Sequence, residues 1–221
     1  MKLKNNMRFS ISCDGGAASG KTTGAKLIAK KYNLKFLSSG LLYRYASYSL
    51  LNKKPKNKIN YLKKKFNNLD YRKISGKKLH SEKNSFYVSI IAKEKKVRNI
   101  LKKYQLIFAK KHKRICIEGR DISYAILPNA DIKFFFKCNI NTASKRRWKE
   151  LKKRNNKIKL NEVRKSIKIR DFNDKNRKHN PLIKSSDSIV IRTDVLNKSK
   201  MVEKMSIEVE KKLKQKYGFR K

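Results

Sequence analysis

Residues Ser10–Thr23 read SISCDGGAASGKTT, and this stretch decides the fold. Within it, Gly15–Thr22 fits the pattern G-x-x-x-x-G-K-[ST] of phosphate-binding loops. Glycines let backbone N–H groups turn toward phosphate oxygens, and Lys21 adds a mobile positive charge. The flanks agree, because Arg8–Cys13 is typical of a strand and Lys21–Tyr32 of a helix. We therefore predict a loop that holds the phosphates of a nucleoside triphosphate, in preference to an ordinary glycine turn.

Short apolar segments along the chain predict a parallel sheet. Each is rich in Ile, Val, Leu or Phe and bounded by polar or turn residues. The predicted strands are Arg8–Cys13, Leu34–Leu37, Arg114–Glu118, Ile132–Phe136 and Ser188–Ile191. Helical patterns separate them, which is typical of βαβ crossovers in an α/β protein.

Two segments interrupt this alternation. In the first, between the second and third strands, Tyr71–His80 suggests a small strand pair and Ser85–Lys111 a helix with an apolar stripe. Such an insertion is where we expect a second ligand. The second, Asn141–Ile169, is helical and basic, which suggests a mobile lid over phosphates. Its arginines are Arg146, Arg147, Arg154 and Arg164.

Composition bounds the function further. The chain has 221 residues, 61 Lys and Arg against 16 Asp and Glu, and a formal net charge of +45. Lysine is spread through nearly all segments, so we interpret the charge as a general compositional bias in preference to specific nucleic-acid binding. Weak, salt-sensitive RNA adhesion would still follow.

The location of the protein is also predicted from composition. No apolar run reaches membrane-spanning length, and the first residues lack the apolar core of a signal peptide. Cys13, Cys116 and Cys138 lie in apolar, strand-like runs without metal-ligand spacing, so we expect buried, reduced thiols. We predict a cytoplasmic monomer without a membrane partner.

Three clusters of arginine follow the loop in the sequence. They are Leu37–Arg44, Ile117–Asp121 and Arg170–Arg177. Taken singly, each arginine could be a surface residue or part of a structural ion pair. Together with a phosphate loop they indicate phosphoryl transfer between two nucleotides, because guanidinium groups neutralise phosphate charge.

At this point the sequence resembles bacterial cytidylate kinases (CMP/dCMP kinases), which belong to the nucleoside-monophosphate kinase group. The family's DGPAASGKGT and LD[ST]GxxYR correspond to DGGAASGKTT and LSSGLLYR here. Its EGRDIGTVVFPDAxxKxFL corresponds to EGRDISYAILPNADIKFFF, and its final RDxxDxxRxxxPL to RDFNDKNRKHNPL. Its LRSPEV and SxVAxxPxVR correspond to LHSEKN and SIIAKEKKVR. The matches run in order through nearly the whole chain.

The resemblance implies a fold and an activity. The fold is a three-layer α/β/α P-loop kinase with a five-stranded parallel sheet, a nucleoside-monophosphate-binding insertion and a short lid. The single domain, 1–221, would comprise a core (1–40, 100–145 and 170–221), the insertion (about 41–99) and the lid (about 146–169). The activity is ATP-dependent phosphorylation of CMP or dCMP to the diphosphate, with Mg²⁺.

Roles for individual residues follow from the same resemblance. ATP would be held by Gly15, Gly16, Ala17, Ala18, Ser19, Gly20, Lys21, Thr22 and Thr23, with Thr22 also on Mg²⁺. The acceptor nucleotide would be held by Ser39, Arg44, Ser89, Arg98, Arg120, Asp121, Arg170, Asp174 and Arg177. The catalytic residues would be Lys21, Arg120, Arg146 and Arg177, with Arg147 an alternative to Arg146. Asp14 and Glu118 are weaker candidates, acting on the metal through water.

The sequence departs from the family pattern at several of these places. Ser38 replaces an Asp, Gly16 a Pro and Thr22 a Gly, while Ser123-Tyr124 replaces Gly-Thr. Loss of the carboxylate at position 38 suggests that Arg44 is less firmly held. Two other functions stay open: another small P-loop nucleotide kinase, and a basic nucleic-acid-binding protein with a vestigial kinase fold.

Overall fold

The structure is a computed structural model, and it describes residues 7–74, 77–153 and 156–218. These residues form two compact units. The core unit contains the described residues up to Phe36 and from Lys113 onward. The inserted unit is Leu37–His112. Each unit is described separately below.

A five-stranded parallel sheet is the centre of the core unit. Its strands are β1 (Phe9–Gly15), β2 (Lys35–Ser38), β3 (Arg114–Gly119), β4 (Ile132–Lys137) and β5 (Ile189–Arg192), in the spatial order β2-β3-β1-β4-β5. β1 pairs in parallel with both β3 and β4, and β4 with β5. All five predicted strands are confirmed, and with them the three-layer α/β fold.

Helices α1 (Lys21–Lys31) and α8 (Lys198–Tyr217) pack with the sheet in a common apolar cluster. Inward side chains of β1 and β4, including Ile11, Phe134 and Phe136, are almost fully buried there. From α8, methionine, valine and leucine side chains recur every fourth residue and form its buried stripe: Met201, Met205, Val209 and Leu213.

The other helices of the core unit are α6 (Ile140–Lys152) and α7 (Leu160–Asn176), which pack against each other. Residues 141–169, predicted to be helical, thus fall in two helices. A polar segment between Lys152 and Leu160 separates two helices, and α7 continues to Asn176. Arg154 lies outside the described residues.

The inserted unit is helical. Its helices are α2 (Ser39–Lys53), α3 (Lys58–Asn67), α4 (Glu82–Ile91) and α5 (Lys95–Lys111). Phe66 of α3 contacts both Tyr45 and Tyr104 edge to face, with ring centroids 6.0 and 5.8 Å away. Short 3₁₀ turns occupy Tyr71–Lys73 and Lys77–His80, so the predicted strand pair is wrong.

The apolar stripe predicted for one helix over Ser85–Lys111 belongs to two helices. Ile91 and Val97 are both fully buried, although they are six positions apart in the sequence. At 3.6 residues per turn these positions lie on different faces of a straight helix. The chain resolves the conflict by ending α4 at Ile91 and starting α5 at Lys95, with Glu94 in an extended conformation.

All three cysteines are free, as predicted, but their burial differs. Cys13 and Cys116 are fully buried on neighbouring strands, with their sulfur atoms 4.0 Å apart. Burial, assisted by this contact, raises the pKa of Cys13 well above its ordinary value. Cys138 follows β4 and is only half-buried. Among the described helices, none combines the length and apolar character needed to cross a bilayer.

Candidate active site

The glycine-rich loop links β1 to α1, as the sequence predicts. Gly15 ends β1 with φ of +157°, and a Cβ atom there would lie only 2.5 Å from the backbone oxygen of Phe136. Gly20 takes the left-handed conformation, φ +77°, directly before α1. These two positions therefore need glycine, one for space and one for conformation. The first backbone N–H groups of α1 lack helical partners and favour an anion.

Lys21 begins α1 and is buried, with 8 % of its surface exposed. Its Nζ donates to the backbone oxygen of Gly16 at 3.1 Å, so the side chain lies back along the loop. Burial, followed by repulsion from Arg120 and Arg170, lowers the pKa of Lys21 to about 7, although Glu118 opposes the shift. The ammonium group therefore lies where further negative charge would stabilise it.

Arginines and carboxylates form a network beside this lysine. Arg120, which follows β3, donates from Nε to Asp174 of α7 at 2.8 Å. Arg177 lies 3.4 Å from Asp174 and 3.6 Å from Asp121. All four side chains are at least four-fifths buried. The structure thus brings together Arg120, Asp121, Asp174 and Arg177, which the sequence analysis assigned to two separate clusters.

The pKa values of this network show how its charges are balanced. Burial raises the pKa of Asp174, but Arg120 and Arg170 lower it more, so the net shift is downward. Burial also opposes the charge on Arg120, but Asp174 outweighs it and the pKa of Arg120 rises. Arg170 is less well compensated: burial and then repulsion from Arg120 lower its pKa to about 10. Burial is the largest influence on each of these pKa values, and for Asp174 and Arg120 the neighbouring charges reverse its direction.

Asp14, the weaker metal candidate, has a structural role in this arrangement. It is buried at the end of β1, and its two carboxylate oxygens accept from the backbone N–H groups of Ile122 and Ser123 at 2.9 and 2.8 Å. Burial raises its pKa to about 6. The carboxylate thus ties β1 to the single π-helical turn Ile122–Ile126 that follows β3. Glu118 is also buried, on β3.

Arg146 and Arg147, the two lid arginines considered for catalysis, have different partners. Arg146 donates to the backbone oxygen of Thr193 at 2.5 Å and to its hydroxyl at 3.0 Å. The Thr193 hydroxyl donates in turn to the backbone oxygen of Ser19 in the loop, at 2.8 Å. Arg147 forms an ion pair with Glu150 and is close enough to Arg170 to lower its pKa. Arg147 is therefore the lid arginine nearer to the cationic cluster.

Ser38, in the inserted unit, stands where the family pattern has an aspartate, and its side chain has a different role. Its side chain accepts from the backbone N–H of Leu41 at 3.2 Å and caps α2. Ser39 is the buried first residue of that helix. Arg44 donates to the backbone oxygen of Leu79 at 3.1 Å and to the hydroxyl of Ser85 at 2.8 Å. Arg44 therefore has two oxygen acceptors within this unit, while the expectation that it is less firmly held without a carboxylate stays a prediction.

Ser89 and Arg98 also lie in the inserted unit. The hydroxyl of Ser89 donates to the backbone oxygen of Phe86 at 2.6 Å, one turn back on α4. Arg98 is buried, with 7 % exposed; it donates to the backbone oxygen of Ala92 at 3.2 Å and lies 5.8 Å from the ring centre of Tyr43. Each side chain thus donates to a backbone oxygen of the same unit.

The family departures at Ser123 and Tyr124 make contacts of their own. The hydroxyl groups of Ser123 and Ser185 are 2.9 Å apart, and the Tyr124 hydroxyl donates to the backbone oxygen of Pro181. Glycine has no side chain for the first contact, and threonine lacks the reach of tyrosine for the second. These substitutions tie the turn after β3 to the segment between α7 and β5.

Sequence reasoning missed two residues that contact the loop. Thr193 is one, and its hydroxyl donates to the backbone oxygen of Ser19, 174 positions away in the sequence. The other is Asp171, whose Oδ1 accepts from the backbone N–H of Ala17 at 2.7 Å. The helical spacing of three and four residues pointed to Arg170, Asp174 and Arg177. Asp171 does not fit that spacing and was not predicted.

Within residues 7–74, 77–153 and 156–218, no group of three or more His, Cys, Asp or Glu side chains forms a metal site. Thr22 lies exposed in the first turn of α1, next to the loop. Mg²⁺ in phosphoryl-transfer enzymes takes few protein ligands and is held largely by phosphates and water. The residues present fit that kind of ion, bound together with a nucleotide.

The comparison with known structures supports the fold. An uncharacterised protein from Eubacterium ventriosum aligns with a TM-score of 0.53 at 16 % identity, covering 92 % of this chain and 99 % of its own. The crystal structure of TT1252 from Thermus thermophilus aligns with a TM-score of 0.50 at 13 % identity, covering 94 % and 99 %.

The comparison with known sequences is more specific. The family model of cytidylate kinase matches residues 11–211. The cytidylate kinase of Rickettsia felis is 36 % identical over 94 % of this chain and 94 % of its own length. That of Rickettsia canadensis is 35 % identical over 91 % and 92 %. With its phosphate loop, its cationic cluster and these relatives, the chain belongs to the cytidylate kinase family.

Proposed function

We propose that the protein transfers the γ-phosphoryl group of ATP to CMP or dCMP, giving ADP and CDP or dCDP. One observation carries the proposal most strongly: Lys21, Arg120 and Arg170 gather beside a phosphate loop, close enough that repulsion by Arg120 contributes to the lowered pKa of both Lys21 and Arg170. Such a cluster suits a reaction that brings two sets of phosphates together. The family relationship supports a cytidine nucleotide as acceptor.

The reaction needs little covalent chemistry from the protein. An oxygen of the acceptor's α-phosphate attacks the γ-phosphorus in line, and ADP leaves. That oxygen is already ionised near neutral pH, so no strong base is required. Catalysis is then positioning together with neutralisation of phosphate charge.

The donor is assigned to the glycine-rich loop. Backbone N–H groups from Gly15 to Thr23 would bind the ATP phosphates, and Lys21 would leave the Gly16 carbonyl to follow the transferred group. The negative charge of the phosphates favours this exchange, because it raises the pKa of Lys21 back to its ordinary value. Mg²⁺, held by the phosphates and the Thr22 hydroxyl, would supply additional charge neutralisation.

The acceptor is assigned to residues of both units. In the core unit, the proposed acceptor-binding residues are Arg120, Asp121, Arg170, Asp174 and Arg177. The carboxylates among them would position the arginines, which would bind the phosphate and ribose of the acceptor. In the inserted unit, the assigned residues are Ser39, Arg44, Ser89 and Arg98. Arg98 is buried and contacts Ala92 and Tyr43, and its planar guanidinium carries a fork of donors that suits the edge of a cytosine ring.

The lid is assigned to the basic segment around α6. Arg146 is linked to the loop through Thr193, and Arg147 lies toward Arg170. We therefore assign contact with the transferred phosphate to Arg147 and support of the loop to Arg146. This refines the sequence analysis, which favoured Arg146 for catalysis.

A panel of acceptors tests the proposed function. Purified protein with ATP and Mg²⁺ is given CMP, dCMP, UMP or AMP, and formation of ADP is followed. We expect turnover with CMP and dCMP and much slower turnover with AMP. Equal or faster phosphorylation of AMP would contradict the assignment. The same preparation passed through a sizing column tests whether the protein is a monomer.

A further inference from the structure

The carboxylate of Asp171 lies directly on the phosphate loop. Its Oδ1 accepts from the backbone N–H of Ala17 at 2.7 Å. Its Oδ2 lies 2.8 Å from the position that a Cβ atom would occupy on Gly16. Both carboxylate oxygens therefore lie against the same stretch of loop backbone, in space that exists because residue 16 is glycine.

This contact completes a continuous face of α7. Val163 and Ile167 are buried in an apolar cluster with Ala17 of the loop. Asp171 follows Ile167 by four residues, which places it next along the same side of the helix. Arg170 and Asp174, one step before and three after Asp171, belong to the cationic network around Lys21. The helix thus meets the loop first through apolar side chains and then through one charge-assisted hydrogen bond.

We propose that Asp171 is a positioning residue, a latch that fixes α7 to the Gly16–Ala17 backbone and so holds Arg170 and Asp174 against Lys21. This inference rests on the proposed function, since it concerns the same phosphate site. The proline that the family pattern has in place of Gly16 would carry a Cβ atom into the Asp171 carboxylate. The close latch is therefore a feature of this chain.

Kinetics of four variants test the latch: Asp171→Ala, Asp171→Asn, Gly16→Ala and the double variant Gly16→Ala with Asp171→Ala. Gly16 has an ordinary backbone conformation, so alanine adds only the Cβ atom that displaces the carboxylate. Loss of a charge-assisted hydrogen bond predicts a fall in kcat of about tenfold or more for Asp171→Ala, with little change in the KM for ATP. Asparagine retains an acceptor oxygen and should restore part of the rate.

The double variant distinguishes a shared contact from two separate defects. If Gly16 and Asp171 act through one contact, the double variant is no slower than the slower single variant. Multiplied losses would overturn the latch. So would wild-type kcat in Asp171→Ala, or tighter ATP binding, which would mean that the carboxylate merely competes with phosphate.

A matched control is available at the other end of β1. Asp131 accepts from the backbone N–H of Ser10 at 2.7 Å, the same type of contact at the same distance. Asp131→Asn should lower stability without changing kcat. Failure of the wild-type protein to phosphorylate CMP would contradict the proposed function, whereas an active wild type matched by Asp171→Ala would contradict the latch alone.

Hydrogen exchange provides a readout that does not depend on activity. In nucleotide-free protein, the Ala17 amide should exchange at least about tenfold faster in Asp171→Ala than in wild type, because its acceptor is gone. The Ser10 amide, held by Asp131, should be unaffected. Unchanged exchange at Ala17 would overturn the contact on which the latch depends.

Discussion

The core unit and the inserted unit hold their arginines in different ways. In the core unit, Arg120 and Arg177 are paired with the carboxylates of Asp174 and Asp121. Within the inserted unit, Arg44 and Arg98 contact backbone oxygens, a hydroxyl and an aromatic ring. Carboxylates fix a guanidinium firmly and cancel part of its charge, whereas neutral oxygens orient it and leave the charge intact.

The difference suggests a division of work. Under the proposed function, the core unit supplies cations in fixed positions beside the transferred phosphate, and only 16 acidic residues are available in a chain of net charge +45. The inserted unit would supply donors for an anionic nucleotide that binds and dissociates. The predictions below challenge this division, beginning with the largest expected effect.

Replacement of Lys21 should have the largest effect on phosphoryl transfer. Its effect should be confined to the core unit. In Lys21→Ala, we expect phosphoryl transfer to fall by about a thousandfold, since a preorganised charge at the phosphates is lost. The thermal midpoint should not fall, because a buried ammonium is removed. Lys31→Ala, at the other end of α1 and in contact with Ser206, is the control and should retain activity. Appreciable turnover in Lys21→Ala would contradict the assignment.

Loss of a carboxylate should harm the core unit more than loss of an arginine harms the inserted unit. Asp174→Asn leaves Arg120 and Arg177 buried beside a neutral group, and we expect a loss of about 3 kcal/mol in the free energy of unfolding. Arg44→Met removes contacts with neutral oxygens and should cost about 1 kcal/mol. Urea unfolding of both variants measures the contrast. Equal losses would remove the physical basis of the division.

Shortening an arginine in the inserted unit should affect only the acceptor. In Arg98→Lys the planar fork of donors is lost, and we expect the KM for CMP to rise about tenfold while the KM for ATP stays unchanged. Arg72→Lys, on an exposed arginine of the same unit paired with Asp70, serves as the matched control. A parallel rise in the KM for ATP would argue against the division.

The depressed pKa of Lys21 predicts a pH dependence of stability. Between the folded value of about 7 and the ordinary value of 10.5, the unfolded chain binds more protons than the folded chain, so stability rises with pH. Lys21→Met lacks this contribution. Its advantage over wild type in unfolding free energy should shrink by about 2 kcal/mol from pH 7 to pH 9, since one pKa unit corresponds to about 1.4 kcal/mol. If the difference in unfolding free energy between Lys21→Met and wild type did not change with pH, Lys21 would have an ordinary pKa in the folded protein.

The sequence predicted those parts of the fold that local patterns determine. All five strands, the phosphate loop and α1 follow from short apolar runs and glycine positions. The break between α4 and α5 was missed because neither glycine nor proline marks it. The break shows only in the spacing of Ile91 and Val97. These residues would lie on different faces of a single straight helix, yet tertiary packing buries both of them.

The candidate site was predicted less evenly. Motifs identified Lys21 and the arginines, because those residue types carry the chemistry. Their partners could not be predicted in the same way. Asp171 is 154 positions from Ala17, and the role of Asp14 as acceptor for two backbone N–H groups depends on a turn formed more than a hundred residues later. Such contacts exist only after the sheet has brought distant strand ends together.

The proposed assignment of ATP binding to Lys21 and of CMP binding to Arg98 is tested most directly by calorimetric titration of wild type, Lys21→Ala and Arg98→Ala. Each protein is titrated separately with a non-hydrolysable ATP analogue and with CMP. We predict that Lys21→Ala loses affinity for the analogue by about tenfold or more and keeps its affinity for CMP, while Arg98→Ala shows the reverse. Loss of both affinities together in either variant, with the fold intact by circular dichroism, would contradict the account.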